Sequence, residues 1–85
     1  MAEVIIYTKA YCPYCVRAKS LLDQKQVVYQ EVKIDEQPER RAEMIEKANG
    51  RSTVPQIFIG TTHIGGCDEM VALHTAGKLD SLLTA

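Results

Sequence analysis

Apolar and β-branched residues run almost without a break through the segment Glu3 to Thr8. A run of this kind, lacking polar alternation, predicts a central strand covered on both faces. From Pro13 to about Lys25 the period changes. Cys15, Ala18, Leu21 and Leu22 fall at helical spacing, so an amphipathic helix with these four side chains inward is expected. Gln26 to Ile34 reads as a second strand, with Val27-Val28-Tyr29 followed by Val32 and Ile34 in alternation. Strand, helix and strand in this order predict a parallel, right-handed βαβ unit.

Asp35 to Asn49 predicts a second helix, with Pro38 in its first turn and Met44, Ile45 and Ala48 as its apolar stripe. Asn49-Gly50 is a suitable C-terminal stop. The polar face carries Glu39, Arg40, Arg41, Glu43, Glu46 and Lys47. It reads as a solvated face rather than a docking patch, with a Glu43–Lys47 pair worth a few tenths of a kcal/mol. Arg51 to Pro55 is a loop, Gln56 to Ile59 a short strand, Gly60-Thr61-Thr62 a turn and His63-Ile64 a brief last strand, which together make a hairpin. Gly65-Gly66 breaks the chain into a third helix from about Cys67 to Ala76, with Met70, Val71 and Leu73 inward. After Gly77, the spacing of Leu79, Leu82 and Leu83 predicts a short terminal turn that packs back. The order β-α-β-α-β-β-α predicts an α/β fold: a four-stranded mixed sheet with helices on both faces.

Composition narrows the picture. A chain of 85 residues with 46% hydrophobic content is the size of one small domain. A net charge of −1 argues against non-specific binding to nucleic acid or to an anionic membrane. No apolar run approaches membrane-spanning length, and the residues before Val4 show no leader pattern. The cysteine count is 3, an odd number that does not fit a secreted disulfide framework. The expected compartment is the cytoplasm, and the expected state a monomer.

The chemistry centres on Cys12-Pro13-Tyr14-Cys15. Residues three apart share a helical face, so both sulfurs can meet. Pro13 suits the first helical position, where a missing N–H has no helical partner to lose. A thiolate at a helix N-terminus is favoured by unpaired N–H groups and the positive end of the macrodipole. Cys12 is therefore expected as the nucleophile, and Cys15, one turn in, as the more buried resolving thiol. Lys9 can add positive charge from three residues upstream. A four-thiolate zinc site needs a second cysteine pair, and only Cys67 remains. A purely structural disulfide would close too short a loop to stabilise much. No metal is expected. His63 and His74 are assigned to structure or surface, and Cys67 to a small buried position.

Three segments, Ile6 to Cys15, Thr53 to Gly60 and His63 to Met70, resemble those of the glutaredoxins in order and spacing. The likeness extends over essentially the whole chain and is closest to the small bacterial dithiol members of the glutaredoxin 3 type. It implies a thioredoxin-like fold and glutathione as cosubstrate, with no tightly bound cofactor. It also implies reduction of protein disulfides and of glutathione–protein mixed disulfides, ribonucleotide reductase being one partner expected on family grounds.

The resemblance further implies that Val54-Pro55 is cis, although X-Pro bonds are mostly trans. Thr53, Val54 and Pro55 would then bind glutathione, with the Val54 backbone pairing to its cysteinyl residue like an added strand. Lys9 and Gln56, with Arg51 as a further candidate, are implied for the glycyl carboxylate. Tyr14 would flank the mixed disulfide. Gly65-Gly66 permits close backbone approach, and the N–H groups of Cys67 and Asp68 open a helix where a carboxylate can bind. Gly66, Cys67 and Asp68 would thus take the γ-glutamyl end, the Asp68 side chain pairing with the ammonium or capping the helix. Two rival readings are a thioredoxin-like donor reduced by a flavoprotein and an iron–sulfur carrier sharing a cluster between two chains. The γ-glutamyl site opposes the first, and Pro13 the second.

Overall fold

In the computed structural model, which describes residues 2–84, β1 (Val4–Thr8) lies at the heart of the molecule. It pairs in parallel with β2 (Gln30–Lys33) on one side and antiparallel with β3 (Gln56–Ile59) on the other. A hairpin adds β4 (Thr62–Gly65), giving the sheet order β2-β1-β3-β4. The helices are α1 (Pro13–Gln24), α2 (Arg40–Lys47), α3 (Cys67–Thr75) and α4 (Leu79–Leu83). This is the four-stranded mixed sheet read from the apolar pattern.

Because side chains alternate across a strand, β1 and β3 each feed two cores. Val4, Ile6, Ile57 and Ile59 face one side, where they meet Ala18 and Leu22 of α1, Met70 of α3, and Leu79 and Leu83 of α4. Tyr7, Val32 and Phe58 face the other, with Met44 of α2 and Ala48, which caps that helix. Tyr7 and Phe58 meet edge to face, with ring centroids 5.7 Å apart. No helix among the described residues is long and apolar enough to cross a membrane.

The elements differ from expectation where local hydrogen bonding overrides the apolar count. The second strand begins at Gln30, not Gln26. Gln26 adopts a left-handed φ of 58°, and its N–H and that of Val27 bond back to Asp23 and Leu22, so this stretch closes α1. Val28, counted as strand, is exposed. The second helix begins at Arg40, not Asp35: the N–H groups of Glu36 and Gln37 both bond to the Lys33 carbonyl, so Pro38 sits in a run of turns ahead of the helix. Val71, expected inward on α3, is exposed, while Met70 is fully buried. Leu79–Leu83 forms a true helix.

The expected Glu43–Lys47 ion pair does not form. The Glu43 carboxylate pairs with Arg40 at 2.8 Å and accepts the Tyr7 hydroxyl, while Lys47 donates to the same hydroxyl at 3.3 Å and lies over Phe58. A buried phenol demands hydrogen-bond partners, and it recruits both charges of the helix face.

Leu22 is wholly buried between α1 and the sheet. Leu22→Ala should destabilise the protein by about 2–5 kcal/mol. A denaturant titration with unchanged slope and a lowered midpoint is the expected result.

Candidate active site

The chain leaves β1 at Thr8 and turns through Tyr11, a wholly exposed residue held at φ 58°. For a bulky side chain this left-handed conformation costs on the order of 1 kcal/mol. It delivers Cys12 to the N-cap of α1, with φ −113° and ψ 102°. The N-cap position usually carries an oxygen that accepts a backbone N–H. Here the acceptor is the Cys12 sulfur, which receives the Cys15 N–H at 3.2 Å. Pro13 follows at the start of the helix, as expected. The aligned peptides of α1 and this N–H together place positive charge at the sulfur.

Cys12 is half-buried and Cys15 buried. Burial pushes the Cys15 thiol up to about 12, and its contact with Cys12 adds to the rise. Cys67 is also buried, and burial raises its thiol too. One sulfur is thus open to partners, and two are withheld from them. Cys67 packs into the core with Met70 and Leu79, the small buried position read for it.

Across from Cys12 lies the loop before β3. The Val54-Pro55 bond is cis, as the resemblance implied. The Cys12 thiol donates to the Val54 carbonyl at 3.8 Å, so this corner faces the nucleophile directly. Gln56 is fully buried. Its amide nitrogen donates to the Thr53 carbonyl at 3.0 Å and to the Thr53 hydroxyl at 3.2 Å. Its Oε1 lies 2.7 Å from His63 Nε2. Since that oxygen can only accept, His63 carries its proton on Nε2. Burial, and then the charge of Arg51, hold the His63 pKa below the usual histidine value. The imidazole stacks on Phe58 at 5.0 Å. The Gln56 amide, which the resemblance implies for a carboxylate, is engaged within the protein here. It has no free atom, and it braces the Thr53–Val54 corner from behind.

A similar brace stands at the start of α3. Gly65 has φ 111°, and a Cβ there would stand 2.5 Å from Glu69 Oε1. The missing side chain makes room for Glu69 and Arg51. Glu69 accepts the N–H of Gly66 at 2.7 Å and pairs with Arg51 at 2.8 Å. Both contacts, the backbone one first, hold its carboxyl below the usual range. With Glu69 capping the helix and Arg51 bound to it, Asp68 is left exposed without a hydrogen bond or ion pair among the described residues.

Except for Cys15 and Gln56, the expected site residues divide between two hollows that share Thr53 and Val54. One, of about 140 Å³, is lined by Tyr14, Arg51, Thr53, Val54, Pro55, Gly66, Cys67, Asp68 and Glu69. The other, of about 580 Å³, holds Lys9, Cys12, Thr53 and Val54 together with Tyr11, Asp35, Arg41 and Ser52. Gln56 lines neither. Arg41 was read as part of a solvated face. Its nearness to Cys12 comes from the packing of α2, which leaves no mark in local sequence. Glu69 was also missed, although a Glu three residues after a helix-opening Gly66 is a visible capping signal.

A family model described as Glutaredoxin matches residues 4–64. Glutaredoxin from Pseudomonas aeruginosa is 60% identical over 85 residues, covering 100% of both chains. Glutaredoxin 3 from Escherichia coli K12 is 59% identical over 83 residues, covering 98% of this chain and 99% of that one. The crystal structure of a buckwheat glutaredoxin–glutathione complex matches with a TM-score of 0.87 at 38% identity, covering 98% of this chain and 77% of the other. A Cys-Pro-Tyr-Cys helix cap facing a cis-proline corner thus sits in a sequence and a fold shared along nearly the whole chain, which belongs to the glutaredoxin family.

Proposed function

We propose that this protein is a glutathione-dependent thiol–disulfide oxidoreductase with two routes, both starting at Cys12. The observation that carries the reading is the meeting of two hollows at Val54, opposite the one open thiol. Glutathione would lie across this junction. Its cysteinyl backbone pairs with Val54, whose N–H and carbonyl can extend the ligand like a strand. Its γ-glutamyl carboxylate meets the N–H groups of Cys67 and Asp68 at the start of α3, and its ammonium meets Asp68. Its glycyl carboxylate reaches the larger hollow, where Lys9 and Arg41 supply positive charge. Tyr14 closes one flank, with Arg17 over its ring at 5.5 Å. The buckwheat glutaredoxin solved with glutathione supports the choice of cosubstrate.

In the monothiol route the Cys12 thiolate attacks the glutathione sulfur of a mixed disulfide. The protein thiolate leaves, and Cys12 becomes glutathionylated. A second glutathione thiolate attacks that glutathione sulfur, forms glutathione disulfide and frees Cys12. In the dithiol route the Cys12 thiolate attacks one sulfur of a protein disulfide and the other leaves as a thiolate; Cys15 then attacks Cys12 and expels the tethered sulfur as the second protein thiolate. Two glutathiones reduce the resulting Cys12–Cys15 disulfide. Glutaredoxin dithiols stand at about −200 to −230 mV, close to a cytosolic glutathione poise, so both routes run reversibly. The substrates we assign are disulfide-bearing and glutathionylated proteins, ribonucleotide reductase among them, met by a monomer in the cytoplasm.

Asp68→Ala should raise the KM for glutathione a few-fold, because an ion pair at an exposed carboxylate is worth about 0.2–1 kcal/mol. The helix should remain capped by Glu69. Steady-state kinetics with glutathione reductase as the coupling enzyme measure this, and an unchanged KM would remove Asp68 from the site. Cys15→Ser should keep turnover of a glutathionylated peptide but slow reduction of a protein disulfide at least tenfold, since a thiol held beside the bond acts at high effective concentration. If both activities fall equally, the two-route scheme is wrong.

A further inference from the structure

A third hollow, of about 380 Å³, is lined by both Cys12 and Cys15, and it shares Lys9, Tyr11 and Asp35 with the larger hollow. Lys19 lines it from α1, one helical turn beyond Cys15 and on the same face. Its ammonium is not left to wander. It bonds to Glu31 of β2 at 3.0 Å, and the same Glu31 oxygen accepts the Thr8 hydroxyl of β1 at 2.7 Å. Both partners are well shielded, with side-chain exposures of 29% and 22%. A surface lysine and glutamate on neighbouring elements need no such three-membered anchor, since exposed pairs contribute little to stability.

We propose that Lys19, anchored by Glu31 and Thr8, is a positioning residue for the resolving step: its ammonium stabilises the Cys15 thiolate whenever that sulfur attacks Cys12 or departs from it. The inference rests on Cys15 being the resolving thiol. In the forward step Cys15 loses its proton to water in the hollow. Its electron pair forms the Cys12–Cys15 bond, the bond from Cys12 to the substrate sulfur breaks, and the substrate thiolate leaves with that pair. In the return step glutathione attacks Cys12 and Cys15 leaves as the thiolate. Both directions pass through a charged sulfur in a buried position, which is costly without a compensating charge.

Of the cations on this hollow, Lys19 is the one on the helix of Cys15, and a 3.0 Å hydrogen bond to Glu31 holds it in place. Burial and the neighbouring Cys12 both oppose charge on Cys15, while the Lys9 backbone N–H and Lys19 favour it. Once Cys12 is tied into a mixed disulfide it carries no charge, and its opposition ends. The other charged groups on the hollow are Lys9, Glu31, Lys33, Asp35 and Glu36. Lys33 lies 3.9 Å from Glu36, and Asp35 accepts the Ala10 N–H. The Glu31 bond keeps Lys19 charged by raising its pKa above the usual lysine value.

The test is a single turnover with one equivalent of 5,5′-dithiobis(2-nitrobenzoate). Attack by Cys12 releases a first thionitrobenzoate, and attack by Cys15 on the adduct releases a second. For Lys19→Gln the second release should slow about threefold to tenfold at pH 7, and its half-rise should move up by about 0.5–1 pH unit, a tenfold change corresponding to one unit. Lys19→Arg keeps the charge and should restore most of the rate. An unchanged second release in Lys19→Gln, an equal loss in Lys19→Arg, or an equal slowing of the first release would each overturn the inference. Cys15→Ser run alongside separates the two ideas, because a second release that persists there would overturn the resolving role of Cys15 itself.

Discussion

The antiparallel pairing of β1 with β3 is the constraint on which the site depends. Tyr7 lies opposite Gln56, so the end of one strand stands beside the beginning of the other. The residues that follow β1 lead to Cys12, and those that precede β3 are Thr53, Val54 and Pro55. No contact between distant loops has to be arranged separately. Closing the central ladder brings Cys12 to the cis-proline corner. The ladder in turn is held by apolar layers on both faces, with Val4, Ile6, Ile57 and Ile59 on one and Tyr7 and Phe58 on the other.

Two thiols of one short motif acquire opposite characters from a single helical turn. Cys12 stands at the cap, where backbone N–H groups converge and solvent reaches the sulfur. Cys15 points into the protein, where low polarity disfavours charge. Such a pair suits the proposed order of steps, the exposed sulfur engaging a partner and the buried one held back until the first is bonded. The anchored Lys19 fits this division, because a withheld thiol must still ionise at its moment of use.

Behind the site, polar side chains serve as braces. Gln56 fixes Thr53, His63 fixes Gln56, and Phe58 supports the imidazole. Glu69 fixes the start of α3 and holds Arg51 beside it. Neither set bonds to the Val54 backbone or to the Asp68 carboxylate. A buried amide with all its atoms engaged resists movement, since breaking one bond leaves an unsatisfied group in the interior.

The sequence alone determined the order of elements, the cap role of Cys12-Pro13 and the burial of Cys15, because each follows from spacing over a few residues. Apolar period distinguishes strand from helix, and an N-terminal Pro has one good place in a helix. It misjudged Val27 to Tyr29 and Asp35 to Glu39, where backbone hydrogen bonds to Leu22, Asp23 and Lys33 settle the matter and side-chain pattern does not. The division of labour among the polar residues was decided by tertiary structure. Gln56 and Lys9 both looked like ligands for a carboxylate, yet one is sealed beneath β4 by His63 and the other stands open beside Cys12. Arg41 was indistinguishable from its solvated neighbours until α2 packed it toward the cavity. Whether a polar side chain faces a ligand or a brace depends on what the fold lays against it, and that neighbour is far away in the chain.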